Sequence, residues 1–307
     1  MMRASIDIGS NSVLLLIADV DDKGNLKEIA NESRVTGLGK GLSKDGLFQD
    51  ESMKETYLAI KEYVLLAEEV GVESCDLIIT ATEASRVAKN AEEFFNRIIK
   101  KLNISVRVIS GEGEAYYTAL GVCKMAKTIG EVSIVDIGGA SSEIMKVRVK
   151  PFSIVKSVSL PMGSVRATDW MSEGKLLNEL RSAWAGTGAK ELAVDEAIFV
   201  AGTMTSIAAM VLGMTKYEGD KIANSTIEFE KLKKFVSSFA QCSAQDLLEQ
   251  YPFLGKRSSS ILGGAEVALF IGEKLGLKSL QISPFGLRYG TIIAGSIEEQ
   301  YVSRHFR

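Results

Sequence analysis

The sequence predicts a duplicated α/β fold, two strand-rich units with a cleft between the halves. Three observations carry this. Residues 4–17 and 132–144, about 130 positions apart, share one plan: an apolar run, Asp-Ile-Gly, small hydroxyl residues and a second apolar run. After each of these segments, short apolar strands alternate with stretches of helical spacing. The chain has 307 residues, enough for two domains, and only 4 prolines, so no Pro-rich linker separates them. Each repeated segment reads as a strand, a tight Gly/Ser turn and a returning strand. Small residues let the turn's N–H groups close on an anion. The aspartate at the strand end, Asp7 or Asp136, offers a hard oxygen ligand to a divalent cation such as Mg²⁺.

Residues 4–30 read as a hairpin, with turn signals at Asp21-Asp22-Lys23-Gly24-Asn25. Four glycines between Gly37 and Gly46 mark a loop. Glu51 to Glu69 is helical, with Tyr57, Ile60, Tyr63, Val64 and Ala67 on one face. Leu77–Thr80 is a strand, Ala88–Leu102 a helix and Ile104–Ile109 a strand. Ser110 then caps a helix running to about Met125. The plan restarts near Gly130, with a hairpin over Val132–Val149 and strands at Ile154–Leu160 and Ala197–Val200. Helices are expected from Met204, over Lys231–Phe239 and over Ile261–Leu275, then a strand at Leu280–Ser283. Thr291–Val302 reads as a last helix.

Composition excludes several classes of function. The chain is 46% hydrophobic and 24% charged, as in a globular domain. A net charge of −3 provides no basic field for nucleic acid or anionic membrane, so a polyanion must be held by local donors. The apolar runs fall short of a membrane span, and the N-terminus runs directly into a strand, so neither a signal peptide nor a membrane anchor is expected. Three scattered cysteines suggest reduced thiols and a cytoplasmic location. The one histidine, His305, argues against Ser-His-Asp or Cys-His catalysis and against His-ligated zinc. Acid–base work must fall to Asp, Glu, Lys, Tyr or water.

Seven short motifs follow one another along nearly the whole chain. They are Asp7-Ile-Gly-Ser-Asn-Ser12; Ala81-Thr82-Glu83-Ala84-Ser85-Arg86-Val87-Ala88-Lys89-Asn90; Ile109-Ser110-Gly111-Glu112-Gly113-Glu114-Ala115; Asp136-Ile-Gly-Gly-Ala-Ser-Ser-Glu143; Ser159-Leu-Pro-Met-Gly163 with Val165-Arg166; Ala201-Gly202-Thr203; and Ser283-Pro-Phe-Gly-Leu-Arg288-Tyr-Gly290. In this order they resemble the exopolyphosphatase/guanosine-pentaphosphate phosphatase family of the actin, sugar-kinase and chaperone-ATPase superfamily. The resemblance implies two ribonuclease-H-like (actin-like ATPase) domains with an interdomain cleft. Domain I would comprise residues 1–124 with 289–307, and domain II residues 125–288. The chain departs from the family pattern at Gly113 (first of a glutamate pair), Ala140 (third glycine of the second loop), Leu14 and Gly37 (both basic in many members). Longer relatives add a C-terminal domain rich in metal-binding histidines, which a single His305 does not suggest here.

Each candidate residue also has a plain reading. Asp7 and Asp136 could serve their own turns, but as a repeated pair they point to metal, with Glu143 as a further ligand. Gly9, Ser10, Asn11 and Ser12, with Gly138, Gly139, Ala140, Ser141 and Ser142, form the expected phosphate cradle. Arg86 is either a structural arginine or a planar clamp on phosphate; Arg166, Arg257 and Arg288 are weaker candidates. Glu114, in a first helical turn, could simply complement the helix dipole; the resemblance makes it the general base. The implied reaction is release of terminal phosphate from inorganic polyphosphate by metal-assisted attack of water, with Mg²⁺ or Mn²⁺ as cofactor and K⁺ as a candidate monovalent ion. Rival readings are 5′-phosphate hydrolysis of guanosine pentaphosphate, an ATP-dependent kinase, and a sensor of polyphosphate or guanosine tetraphosphate with weak turnover. Leu14 and Gly37, which lack the basic groups, motivate the last. Expected partners are inorganic polyphosphate or guanosine polyphosphate and a second copy in a homodimer, with no nucleic acid and no membrane.

Overall fold

A computed structural model describes residues 1–22, 24–126, 130–195, 197–223 and 225–306. Lys23, in the expected Asp21–Asn25 turn, lies outside the described residues. The chain divides into two compact units, Met1–Val122 with Leu287–Arg307, and Cys123–Gly286. Both junctions fall two residues before the boundaries expected from sequence. Among the described residues no helix is long and apolar enough to cross a membrane.

In chain order, the elements begin with strands β1 (Met2–Ile8), β2 (Ser12–Val20) and β3 (Leu26–Val35). Helices α1 (Leu42–Asp45) and α2 (Asp50–Glu69), strand β4 (Leu77–Ala81), helices α3 (Glu83–Val87) and α4 (Ala91–Leu102), strand β5 (Val106–Ile109) and helix α5 (Gly111–Met125) follow. The second unit opens with β6 (Glu131–Ile137), β7 (Ser142–Arg148) and β8 (Ser153–Leu160), then α6 (Ser164–Ser172), α7 (Leu176–Trp184) and β9 (Ala197–Val200). It continues through α8 (Ala201–Val211), α9 (Gly219–Ile222), β10 (Thr226–Glu228), α10 (Phe229–Phe239), α11 (Ala244–Gln250), α12 (Ile261–Leu275) and β11 (Ser279–Ile282). Helix α13 (Leu287–Ala294) and strand β12 (Val302–Phe306) return to the first unit.

The two units repeat one topology. The first sheet runs β12-β5-β4-β1-β2-β3 and the second β10-β11-β9-β6-β7-β8. In each, three consecutive antiparallel strands form a meander, and its first strand pairs in parallel with the strand that starts the α/β part. An outer antiparallel strand closes each sheet. Alternation along β1 sends Ala4, Ile6 and Ile8 into a core with Ile60, Phe94 and Phe95. The opposite face of β1 is covered by α13, where the Ser5 and Thr291 hydroxyls bond at 2.8 Å. Asp7 shares the parity of Ser5 and lies at the C-terminal end of β1. In the second unit Val135 and Ile137 enter the core with Phe199, Met204 and Ile271, and Asp136 takes the other parity.

Two expectations are corrected. The first hairpin is a three-stranded meander that extends to Val35. The Thr291–Val302 segment is not one helix. Helix α13 stops at Ala294 because Gly295 turns left-handed at φ 76°. A short 3₁₀ turn at Glu299–Tyr301 then leads into β12, which pairs antiparallel with β5 and buries Phe306 on Phe95. Five residues with one deeply buried side chain carry too little periodicity to announce a strand.

Candidate active site

The two Asp-Ile-Gly turns are built alike, atom for atom in their closing bond. Gly9 N–H donates to the Ser12 carbonyl at 3.0 Å, and Gly138 N–H donates to the Ser141 carbonyl at 3.0 Å. Asp7 stands opposite Leu14, and Asp136 opposite Glu143. Position 14 of the first hairpin therefore corresponds to position 143 of the second.

Neighbouring backbone braces each turn. In the first, the Asn11 carbonyl accepts from the amides of Thr36 (3.0 Å) and Gly37 (2.9 Å), and the Ser10 carbonyl from Gly39 (2.7 Å). The glycine-rich loop after β3 thus serves as the turn's scaffold, and Ser10 is buried beneath it. In the second, the Gly138 carbonyl accepts from Ser164 (2.9 Å), and the Gly139 carbonyl from Val165 (2.8 Å) and Arg166 (3.2 Å). These are the first amides of α6, which ordinarily lack intrahelical partners. The Ser142 hydroxyl donates to the Met162 carbonyl at 2.6 Å. Gly163 lies so close that a Cβ there would stand 2.6 Å from Gly139 C and 2.7 Å from Ala140 N. In each turn two carbonyls are taken up by the scaffold, those of Ser10 and Asn11 in the first and of Gly138 and Gly139 in the second, an arrangement suited to binding anions through amides and hydroxyls.

Glu143 is 1% exposed and accepts from the Ser159 hydroxyl at 2.7 Å, across the directly paired strand position. Among the described residues there is no group of three or more His, Cys, Asp or Glu able to hold a metal ion. Each turn instead presents one aspartate at its strand end. One or two carboxylates suit Mg²⁺, which keeps several waters and takes substrate phosphate oxygens as its remaining ligands. The donor chemistry therefore fits a hydrated divalent ion shared with a phosphate substrate.

Glu114 occupies the first turn of α5 and is 9% exposed. Ser110 caps this turn: its hydroxyl accepts from Gly113 N–H (3.0 Å), and its carbonyl from Glu114 N–H (2.9 Å). Arg86 reaches Glu114 Oε2 with Nη1 at 3.2 Å and Nη2 at 3.3 Å. It also donates from Nε (3.2 Å) and Nη2 (2.8 Å) to Glu83 Oε2, and from Nη1 to the Ile109 carbonyl (2.7 Å). These bonds match the five N–H donors of a guanidinium. Arg86 thus bonds Glu83, Glu114 and the Ile109 carbonyl of its own unit and holds Oε2 of Glu114.

The weaker arginine candidates separate. Arg288 donates to the Leu15 carbonyl (2.5 Å) and to Asn31 (2.8 Å), tying α13 to the first meander in a structural role. Arg257 packs on the β9–α8 turn, where Ala201 is left-handed at φ 70° and a Cβ at Gly202 would meet Nη2 at 2.7 Å; it also donates to the Ser206 hydroxyl at 3.0 Å. Residues without an assigned role from sequence now have one. Glu83 anchors Arg86 at the i,i+3 spacing of a helix, a legible signal. Ser159 holds Glu143 through strand register, which sequence does not display. On α5 itself, burial pushes the Tyr117 phenol up to about 12, and its oxygen accepts from Glu298 N–H at 2.8 Å.

Comparison with known proteins places these features in context. A profile described as the Ppx/GppA phosphatase family matches residues 16–297. A bifunctional 3-dehydroquinate synthase/phosphatase of Fusobacterium nucleatum is 29% identical; the alignment covers 96% of this chain and 46% of that protein. Exopolyphosphatase 2 of Mycobacterium tuberculosis is 28% identical, with 95% of this chain and 97% of that protein covered. The chain thus spans about half of the first relative and nearly all of the second. The crystal structure of the Aquifex aeolicus member of the Ppx/GppA protein family is 30% identical with a TM-score of 0.76, over 96% of this chain and 97% of that one.

Proposed function

We infer the reaction from the premise that this chain belongs to the Ppx/GppA phosphatase family. This phosphoanhydride hydrolase acts on inorganic polyphosphate and releases its terminal phosphate by attack of water. The observation that supports this most is the repeated Asp-Ile-Gly turn, with the same closing bond in both copies and two carbonyls of each taken up by the scaffold. Residues 9–12 and 138–142 form the phosphate cradle: the Gly9 and Gly138 amides close the turns, the Ser142 hydroxyl braces the Met162 carbonyl, and the remaining amides and hydroxyls meet the phosphate oxygens. Asp7 in the first unit and Asp136 in the second would each offer a carboxylate to a divalent ion, with Glu143 paired opposite Asp136 on the next strand. When bound, Mg²⁺ or Mn²⁺ supplies charge neutralisation on the phosphate oxygens. Glu114 accepts the proton of the attacking water on its carboxylate. Arg86 fixes Oε2 of that carboxylate, and reaches a substrate phosphate only by exchanging one of its present acceptors for it.

Phosphate release measured in parallel from polyphosphate, guanosine pentaphosphate and ATP tests the assignment. Polyphosphate should be turned over fastest, and only with a divalent ion. Faster release from guanosine pentaphosphate would move the assignment to the nucleotide, and release from none would leave a binding protein. Asp136→Asn should greatly weaken Mg²⁺-dependent turnover, because an amide is an uncharged and poorer ligand. Glu114→Gln should lower turnover about 10²–10⁴-fold, the usual contribution of a general base. A Glu114→Gln protein that loses only about 0.3–1 kcal/mol of stability and keeps its rate would make Glu114 a helix-start residue.

A further inference from the structure

The segment that precedes β12 closes over the start of α5, and Tyr301 is its principal contact. The Tyr301 carbonyl accepts from the amide of Ser110, the residue that caps α5, at 2.8 Å. Its ring stacks on Tyr116 with centroids 4.8 Å apart and meets Tyr117 edge-on at 5.7 Å. Its Cβ fills the space beside Gly113: a side chain there would begin 2.7 Å from Tyr301 Cβ and 3.0 Å from the Tyr301 carbonyl oxygen. Where the family motif carries the first glutamate of a pair, this chain carries glycine, and Tyr301 leaves no room for a side chain there. The first turn of α5 is therefore seated against a neighbouring backbone instead of against a second carboxylate.

We propose that Tyr301 is a positioning residue for Glu114: its ring, packed on Tyr116 and Tyr117, holds in place the carbonyl and Cβ that seat Ser110 and Gly113, and so sets the carboxylate without touching substrate. This rests on Glu114 being the general base. A base must lie within hydrogen-bond reach of the proton it takes, and misplacement by about 1 Å can cost about 10²-fold in rate. Gly113 and Tyr301 are then two halves of one contact, and disturbing either should have the same kinetic consequence.

The test uses the full chain and initial rates of phosphate release from polyphosphate. Tyr301→Ala and Gly113→Ala should each lower kcat about 10- to 100-fold with KM nearly unchanged. Tyr301→Phe keeps the ring and the backbone and should restore the parental kcat. In a Glu114→Gln background, Tyr301→Ala should add no further loss, a non-additivity that general destabilisation does not produce. Because a methyl group at Gly113 also overpacks Tyr301, circular dichroism first establishes that each variant is folded at the assay temperature, and kcat is read on folded protein. A Tyr301→Ala or Gly113→Ala protein with parental kcat, or a loss of equal size in the Glu114→Gln background, overturns the positioning role. Glu114→Gln at the parental rate overturns instead the base assignment beneath it.

Discussion

At the scale of single residues, the arrangement around Arg86 is the most constrained. Its five donors reach Glu83, Glu114 and the Ile109 carbonyl. An ammonium offers three donors from one point and cannot span those acceptors at once. Arg86→Lys is therefore expected to release Glu114 from its present orientation and to lower kcat about 10²-fold. Initial phosphate-release rates check this, and an unchanged rate would return Arg86 to the status of a structural ion pair. At this scale the sequence was legible wherever the chemistry is local. Asp7 and Asp136 are announced by the glycine two positions later, and Glu83 by its helical spacing from Arg86. The Glu143–Ser159 bond and the Gly113–Tyr301 contact were not legible. The first depends on which residues strand register sets opposite each other, and the second on where a distant segment returns.

Among elements, the second turn and α6 act as one body. The first amides of α6 bind the carbonyls of Gly138 and Gly139, and Gly163 lets the two backbones touch. Gly163 is extended, at φ −153° and ψ 173°, so any residue can adopt its backbone and only space is at issue. Gly163→Ala places a methyl group against backbone that cannot rotate away. Such overpacking costs about 1–3 kcal/mol, and here the strain falls on the turn that carries Ala140 and Ser141. A lower Tm together with weakened phosphate release is expected, from calorimetry and the same rate assay. A Tm drop with full activity would show that the turn tolerates the shift. Elements with a long period were easy to read. Helix α12 begins at Ile261 and ends at Leu275, as its apolar spacing and following Gly276 predict. Strand β12 carries no signal of its own, because its identity comes from pairing with β5 rather than from its five residues.

For the whole molecule, the duplication is the organising fact, and each unit carries its own core. In the first unit, burial pushes two phenols, Tyr63 and Tyr117, up to about 12 from an ordinary value near 10. Their contribution to stability is complete below pH 10. Between about pH 10 and 12 the unfolded chain has lost protons that the folded chain retains, so stability falls as pH rises. The Tm should decline steeply above pH 10, and Tyr63→Phe should flatten that decline. A Tm that holds constant to pH 11 would contradict the burial of these two groups.

The discontinuity of the first unit also has a bearing on biosynthesis. Residues 123–286 form a contiguous unit, whereas the sheet edge at β5 waits for β12 and the face of β1 waits for α13. During translation, the second unit can close on itself as soon as it clears the ribosome. The N-terminal half, though made earlier, must persist with an unpaired strand edge and an uncovered sheet face until residues 287–306 emerge. The older part of the nascent chain is thus the later to mature, and it is the part expected to need a chaperone's protection in the interval.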